Sequence, residues 1–177
     1  MRGVILYGAP ATGKDTITHA LHKLDARYVL FPRLKVGGGR TAGYRITSDA
    51  TLRTLRAHGD IIWENHRYGA TYVIDRPTLL AQLNDHIPVV HLGQHTAIGA
   101  VVRATPAARW LIVSVWCPRH VAKERLSARG TNDTATRLCA WDDTPPLPDT
   151  DVTIDTATQS PECAARRIQR HIAALAD

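Results

Sequence analysis

The chain has 177 residues, 44% of them hydrophobic, and a formal net charge of +6 at pH 7. That length suits one domain able to fill its own core. No run reaches the roughly 18 apolar residues a membrane-crossing helix needs, and residues 1–7 pass straight into a glycine-containing loop rather than a cleavable leader, so a cytoplasmic protein is expected.

Cys117, Cys139 and Cys163 form neither a CxxC pair nor an even set, which argues against a disulfide framework. The positive charge comes from 18 arginines and four lysines, and the forked guanidinium group suits bidentate pairing with phosphate oxygens. There is no dense basic run and no basic stripe interleaved with aromatics. Small anionic molecules, rather than nucleic acid, are the expected partners.

In chain order, residues 4–7 read as an apolar strand, and residues 14–24 as a helix with Ile17, Ala20, Leu21 and Leu24 at helical spacing. Residues 27–31 read as a strand, and residues 33–43, with three consecutive glycines, as a mobile loop. A helix over 49–58 precedes short strands at 60–63 and 71–74, which flank a polar segment at 64–69. Pro77 suits the first turn of a helix through 83, followed by a strand at 88–92, a helix at 94–104 and a long strand at 110–116. Pro118 opens a helix through 128, a polar stretch at 130–134 interrupts it, and 135–141 resumes it. A proline-rich stretch at 144–149, a strand at 152–154 and a helix capped by Ser160 close the chain. Alternating strands and helices predict an α/β fold with a parallel sheet covered by helices and a site at the strand C-termini.

Residues 8–16, Gly-Ala-Pro-Ala-Thr-Gly-Lys-Asp-Thr, match GxxxxGK between a strand and a helix. Gly8, Ala11, Thr12 and Gly13 belong to the loop whose N–H groups would curl round phosphates, the helix N-terminus adds its dipole, and Lys14 reaches the outer phosphates. The residue after the lysine is normally Ser or Thr, whose hydroxyl holds Mg²⁺; here it is Asp15, with Thr16 next. A carboxylate beside a triphosphate is repelled unless a cation lies between them, so Asp15 and Thr16 are the candidate Mg²⁺ residues.

A second cluster is Arg125-Leu126-Ser127-Ala128-Arg129-Gly130-Thr131, followed by Arg137. Arg125 and Arg129 are four apart, so on one helix they share a face, and Arg137 arrives from the far side of a polar loop. Such guanidinium groups suit charge spread over a transferring phosphoryl group.

With both motifs in this order, the chain resembles guanylate kinase and its P-loop kinase relatives. The resemblance implies a three-layer α/β/α domain over 1–177, with a core at 1–32 and 86–177, an acceptor-binding lobe near 33–76 and an arginine lid near 126–137. It also implies ATP as donor, Mg²⁺, catalytic roles for Lys14, Arg125, Arg129 and Arg137, and a grip on the acceptor phosphate by Arg33, Tyr44 and Tyr68, with Lys35 and Arg40 as nearby cations. Glu64 is the candidate base-reading carboxylate, with Asn65 and Arg67 beside it, and Asp75 is a candidate base or replacement acid.

Three departures from the guanylate kinase pattern stand out. Ala70 lacks a hydroxyl, Glu64 falls one residue late, and His91 and Gly93 replace acidic residues at a strand end. GKD followed by a hydroxyl residue, with a non-acidic strand end, is also similar to ribose 1,5-bisphosphate phosphokinase. The expected activity is phosphoryl transfer to a small phosphorylated acceptor, a nucleoside monophosphate or an analogue, by a monomer or homodimer. The alternatives are a sugar-phosphate kinase and a non-catalytic nucleotide-binding module.

Overall fold

The structure, a computed structural model, describes residues 1–130 and 133–175. Its elements in order are β1 (Arg2–Tyr7), α1 (Lys14–Leu24), β2 (Tyr28–Leu30), β3 (Arg33–Gly37), β4 (Tyr44–Ile46), α2 (Asp49–Ala57), β5 (Ile61–Arg67), β6 (Ala70–Asp75), α3 (Arg76–Asp85), β7 (Ile87–Leu92), α4 (His95–Ala104), β8 (Arg109–Trp116), α5 (Arg119–Ser127), α6 (Thr134–Asp142), β9 (Val152–Asp155) and α7 (Pro161–Ala174). Among the described residues no helix is long and apolar enough to cross a membrane.

Five strands form a parallel sheet in the order β2-β7-β1-β8-β9. Both faces are covered, and alternate side chains divide between them as the two-residue strand period requires. Val4 and Leu6 of β1, with Leu111, Val113 and Val115 of β8, pack under Ile17 and Leu21 of α1 and Ile168 and Ile172 of α7. Ile5 and Tyr7, with Val90 and Leu92 of β7, pack under Leu79 and Leu83 of α3 and Ala97 and Val101 of α4. The three-layer α/β/α arrangement with a central parallel sheet is therefore present.

A second sheet, of order β4-β3-β6-β5, lies between β2 and α3 in the chain. Residues 33–43, expected to be a mobile loop, instead begin with a strand, Arg33–Gly37. Val36 and Leu34 alternate with Arg33 and Lys35, and Leu34 packs with Val73 and with Leu52 of α2 in a small core of its own. The polar segment between the two short predicted strands is also strand: β5 and β6 form one hairpin joined by Tyr68 and Gly69. Both turn residues have positive φ, 54° and 67°, as a two-residue type I′ turn demands. Charged residues hid this strand because one of its faces is solvent-exposed.

Candidate active site

A cleft of about 540 Å³ lies between the C-terminal ends of β1 and β7, the second sheet and the segment after α5. Its floor is the loop from Gly8 to Gly13. Ala11 and Gly13 take positive φ, 62° and 95°, which curls the backbone, and Thr12 is buried with its hydroxyl donating to the Ala9 carbonyl at 2.9 Å. A Cβ on Gly8 would meet the Val115 carbonyl oxygen at 2.1 Å, so glycine is what lets the loop seat against β8. The first turn of α1 has no side-chain cap, which leaves its N–H groups for an anion.

Lys14 Nζ donates to the carbonyls of Gly8 at 2.6 Å and Ala9 at 2.7 Å. Burial lowers its pKa to about 8; Asp15 works in the opposite direction, and Arg33 and Arg129 reinforce the lowering. Asp15 sits half-exposed at the mouth, 3.4 Å from His91 Nδ1 and accepting from Arg40 Nη1 at 3.2 Å. Those two neighbours, His91 first, hold its carboxyl well below the usual range, against a smaller opposing effect of burial. Thr18 Oγ1 lies 2.7 Å from His91 Nε2 and donates to the Lys14 carbonyl at 2.9 Å, which ties β7 to α1 beneath the loop. His91, which stands where the guanylate kinase pattern has an acid, thus lines the cleft beneath the loop.

The opposite wall is one face of the second sheet. Register places Asn65 beside Tyr72 and Tyr72 beside Lys35, and Arg33 beside Tyr44 on the next strand. The Arg33 guanidinium lies 5.6 Å from the Tyr44 ring centre and 5.3 Å from that of Tyr72, a cation–π arrangement that holds the charge toward the cleft. Lys35 is buried and donates to the carbonyls of Gly38 and, at 2.8 Å, Arg40, so it shapes the glycine turn that carries Arg40 to Asp15. Arg137 stacks 5.0 Å from the Tyr68 ring centre and donates to Asp133 at 2.6 Å. Burial raises the pKa of Tyr68 and Tyr72, so both hydroxyls stay protonated.

No protein-family model and no curated protein sequence matches the chain. Solved structures do. A guanylate kinase from Anaplasma phagocytophilum superposes with a TM-score of 0.60 at 16% identity, covering 97% of this chain and 85% of that one. A gluconokinase from Sinorhizobium meliloti 1021 gives 0.57 at 18% identity over 98% of this chain and 94% of its own. A sugar kinase from Janibacter sp. HTCC2649 gives 0.56 at 18% identity over 98% and 96%. The chain has the P-loop kinase fold.

On this P-loop kinase scaffold, most of the residues named from sequence face one cleft: Gly8, Ala11, Thr12, Gly13, Lys14, Asp15, Thr16, Arg33, Lys35, Arg40, Tyr44, Tyr68, Arg129 and Arg137. Three do not. Arg125 was expected to share a helix face with Arg129, but α5 ends at Ser127, so the two part company. Arg125 instead points behind the loop, donating to the carbonyls of Ala11 at 3.2 Å and Thr156 at 2.8 Å. Glu64 points to the outer face, accepting from Arg56 Nη2 of α2 at 2.8 Å. Asp75 is buried at the N-cap of α3, where it pairs with Arg45 and accepts from Thr78 Oγ1 at 2.6 Å. Thr131, the end of the arginine motif, lies outside the described residues. Tyr72, not among the residues expected in the site, is central to the wall; its alternation with Val73, which packs into the small core on the other face, was the available signal.

Among the described residues no three His, Cys, Asp or Glu side chains converge on a metal position. Mg²⁺ beside phosphates takes only one or two protein oxygens and keeps several waters, so Asp15 and Thr16 on the cleft mouth fit that demand.

Proposed function

We propose that this protein transfers a phosphoryl group from ATP to a small phosphorylated acceptor. The observation that carries the reading is the convergence of Lys14 and its loop, on one wall of a single cleft, with Arg129, Arg137, Arg33 and Tyr44 on the others. Few unrelated tasks call for so many cations around so few acids. The segment 33–76 then serves as the acceptor lobe and 126–137 as the lid, on a core of 1–32 and 86–177.

In this reading the loop N–H groups and Lys14 hold the β and γ phosphates. Arg33 and Arg40, with the hydroxyls of Tyr44, Tyr68 and Tyr72, hold the phosphate of the acceptor so that its nucleophilic oxygen faces the γ phosphate. Positioning of this kind supplies most of the rate in phosphoryl transfer, because the protein has little covalent work to do. Arg129 and Arg137 neutralise charge on the transferring oxygens as the segment that carries them closes. Asp15 and Thr16 would hold Mg²⁺, which neutralises phosphate charge. Arg125 acts indirectly, by fixing the loop from behind.

Incubation with ATP, Mg²⁺ and a pool of nucleoside monophosphates and sugar phosphates, with products identified by mass, tests the reading. An ester heavier by one phosphoryl group is expected. Phosphorylation of unphosphorylated alcohols alone would remove the acceptor-phosphate role of Arg33 and Tyr44.

A further inference from the structure

The hairpin β5–β6 contains a register shift between Ile61 and Trp63. Ile61 pairs with Asp75, but from Trp63 onward every pair is displaced by one: Trp63 with Ile74, Glu64 with Val73, Asn65 with Tyr72. Had the first register continued, Glu64 would stand beside Tyr72 and face the cleft. One extra residue in a strand exchanges its two faces beyond that point. The bulge therefore turns a carboxylate out to Arg56 and brings a neutral amide, Asn65, into the cleft.

Asn65 Oδ1 is buried there and has no hydrogen-bond partner among the described residues. A buried acceptor without a donor is destabilising unless something supplies one. Beside it, Tyr72 and Arg67 offer donors to anions, and neither Glu64 nor Asp75 lends a carboxylate to this wall.

We infer that Asn65 is the specificity-determining residue for the acceptor, reading an edge that presents one hydrogen-bond donor next to one acceptor. The inference rests on the phosphoryl-transfer reading above. An amide has one carbonyl and one NH₂, so it complements such an edge and not two donors side by side. Two acceptor sources carry it: vicinal hydroxyls of a sugar phosphate, and the base of an adenine or cytosine nucleotide. The guanine edge carries two adjacent N–H donors beside its O6 acceptor; one amide carbonyl leaves one of those N–H groups unmet where a carboxylate meets both, so GMP is disfavoured. Sites that hydrogen-bond a substrate discriminate strongly against partners that leave the bond unmade.

The test compares ribose 5-phosphate, AMP, CMP and GMP as acceptors for the wild type, Asn65→Leu, Asn65→Asp and Asn65→Glu, with thermal melts to confirm folding. Wild type is expected to favour ribose 5-phosphate, AMP or CMP over GMP by about tenfold or more in kcat/KM. Because the three nucleotides share the ribose diol, a preference for AMP or CMP over GMP assigns the base, and turnover of ribose 5-phosphate alone assigns the sugar hydroxyls. Asn65→Leu should raise KM for that acceptor by about tenfold with little change in kcat, and the two acidic variants should shift preference toward GMP. Calorimetric binding of the same four esters separates this claim from catalysis. If wild type turns an ester over and the Asn65 variants match it in KM and binding, Asn65 is not the reader although the kinase reading stands. A wild-type preference for GMP also overturns the inference. If no ester binds or reacts, both readings fall.

Discussion

Arg125 grips Thr156 by two atoms, donating from Nη2 to its carbonyl at 2.8 Å and from Nη1 to its hydroxyl at 2.9 Å, and that hydroxyl donates in turn to the Thr12 carbonyl at 2.9 Å. The loop from Gly8 to Gly13 is thus bolted to the segment after β9 through one guanidinium. Hydrogen bonds to charged groups contribute about 1.5 to 3 kcal/mol, so Arg125→Ala should lower unfolding free energy by about 2 kcal/mol and weaken nucleotide binding. Arg129→Ala should leave the melting temperature unchanged and lower kcat on the order of a hundredfold. Denaturant melts paired with steady-state kinetics distinguish the two arginines; equal melting temperatures would contradict the split.

Lys14 gives a pH dependence of definite sign. Its pKa of about 8 lies below the ordinary 10.5 because burial disfavours the cation, and a bound triphosphate favours it. Binding therefore takes up a proton above pH 8, and ATP affinity should fall as pH rises past that value, by up to about tenfold per unit until the pKa of the complex is reached. By the same linkage this group makes the folded chain more stable as pH rises from about 8 to 10.5, since only the unfolded chain still holds the proton there. Calorimetric ATP titrations between pH 7 and 10 check the first effect, with Lys14→Arg as a control whose affinity stays flat because arginine does not titrate in that range.

Glu64 and Asp75 should behave as structural acids. Glu64 pairs with Arg56 in solvent, so Glu64→Gln should leave both melting temperature and kcat/KM as they were. Asp75 caps α3 and pairs with Arg45 while itself buried, so Asp75→Ala should cost about 2 kcal/mol of stability yet leave KM for the acceptor unaltered. A rise in that KM at full stability would return Asp75 to the site.

These residues also mark how far the sequence could be read. GxxxxGK between an apolar strand and an amphipathic helix made the loop and the parallel sheet legible, because spacing and hydrophobic period alone dictate them. The arginines were legible as a cluster but not as individuals: nothing in the spacing told that α5 stops at Ser127, which sends Arg129 to the cleft and leaves Arg125 behind the loop. The wall of the cleft was least legible. Arg33–Gly37 turns alternate charged side chains toward the cleft and runs into three glycines, so it resembled a loop. The bulge after Ile61 inverts the inward face of β5, and no composition signal announces it.

The central claim is that Lys14 and the arginines across the cleft act on one transferred phosphoryl group. The most direct measurement follows γ-labelled ATP in the presence of Mg²⁺ and a pool of phosphate esters, with wild type and Lys14→Ala assayed side by side. The account predicts that label moves to an ester with wild type, and that Lys14→Ala, folded by its melt, moves none. Label that stays in ATP, that appears only as inorganic phosphate, or that reaches the ester equally with Lys14→Ala would contradict it.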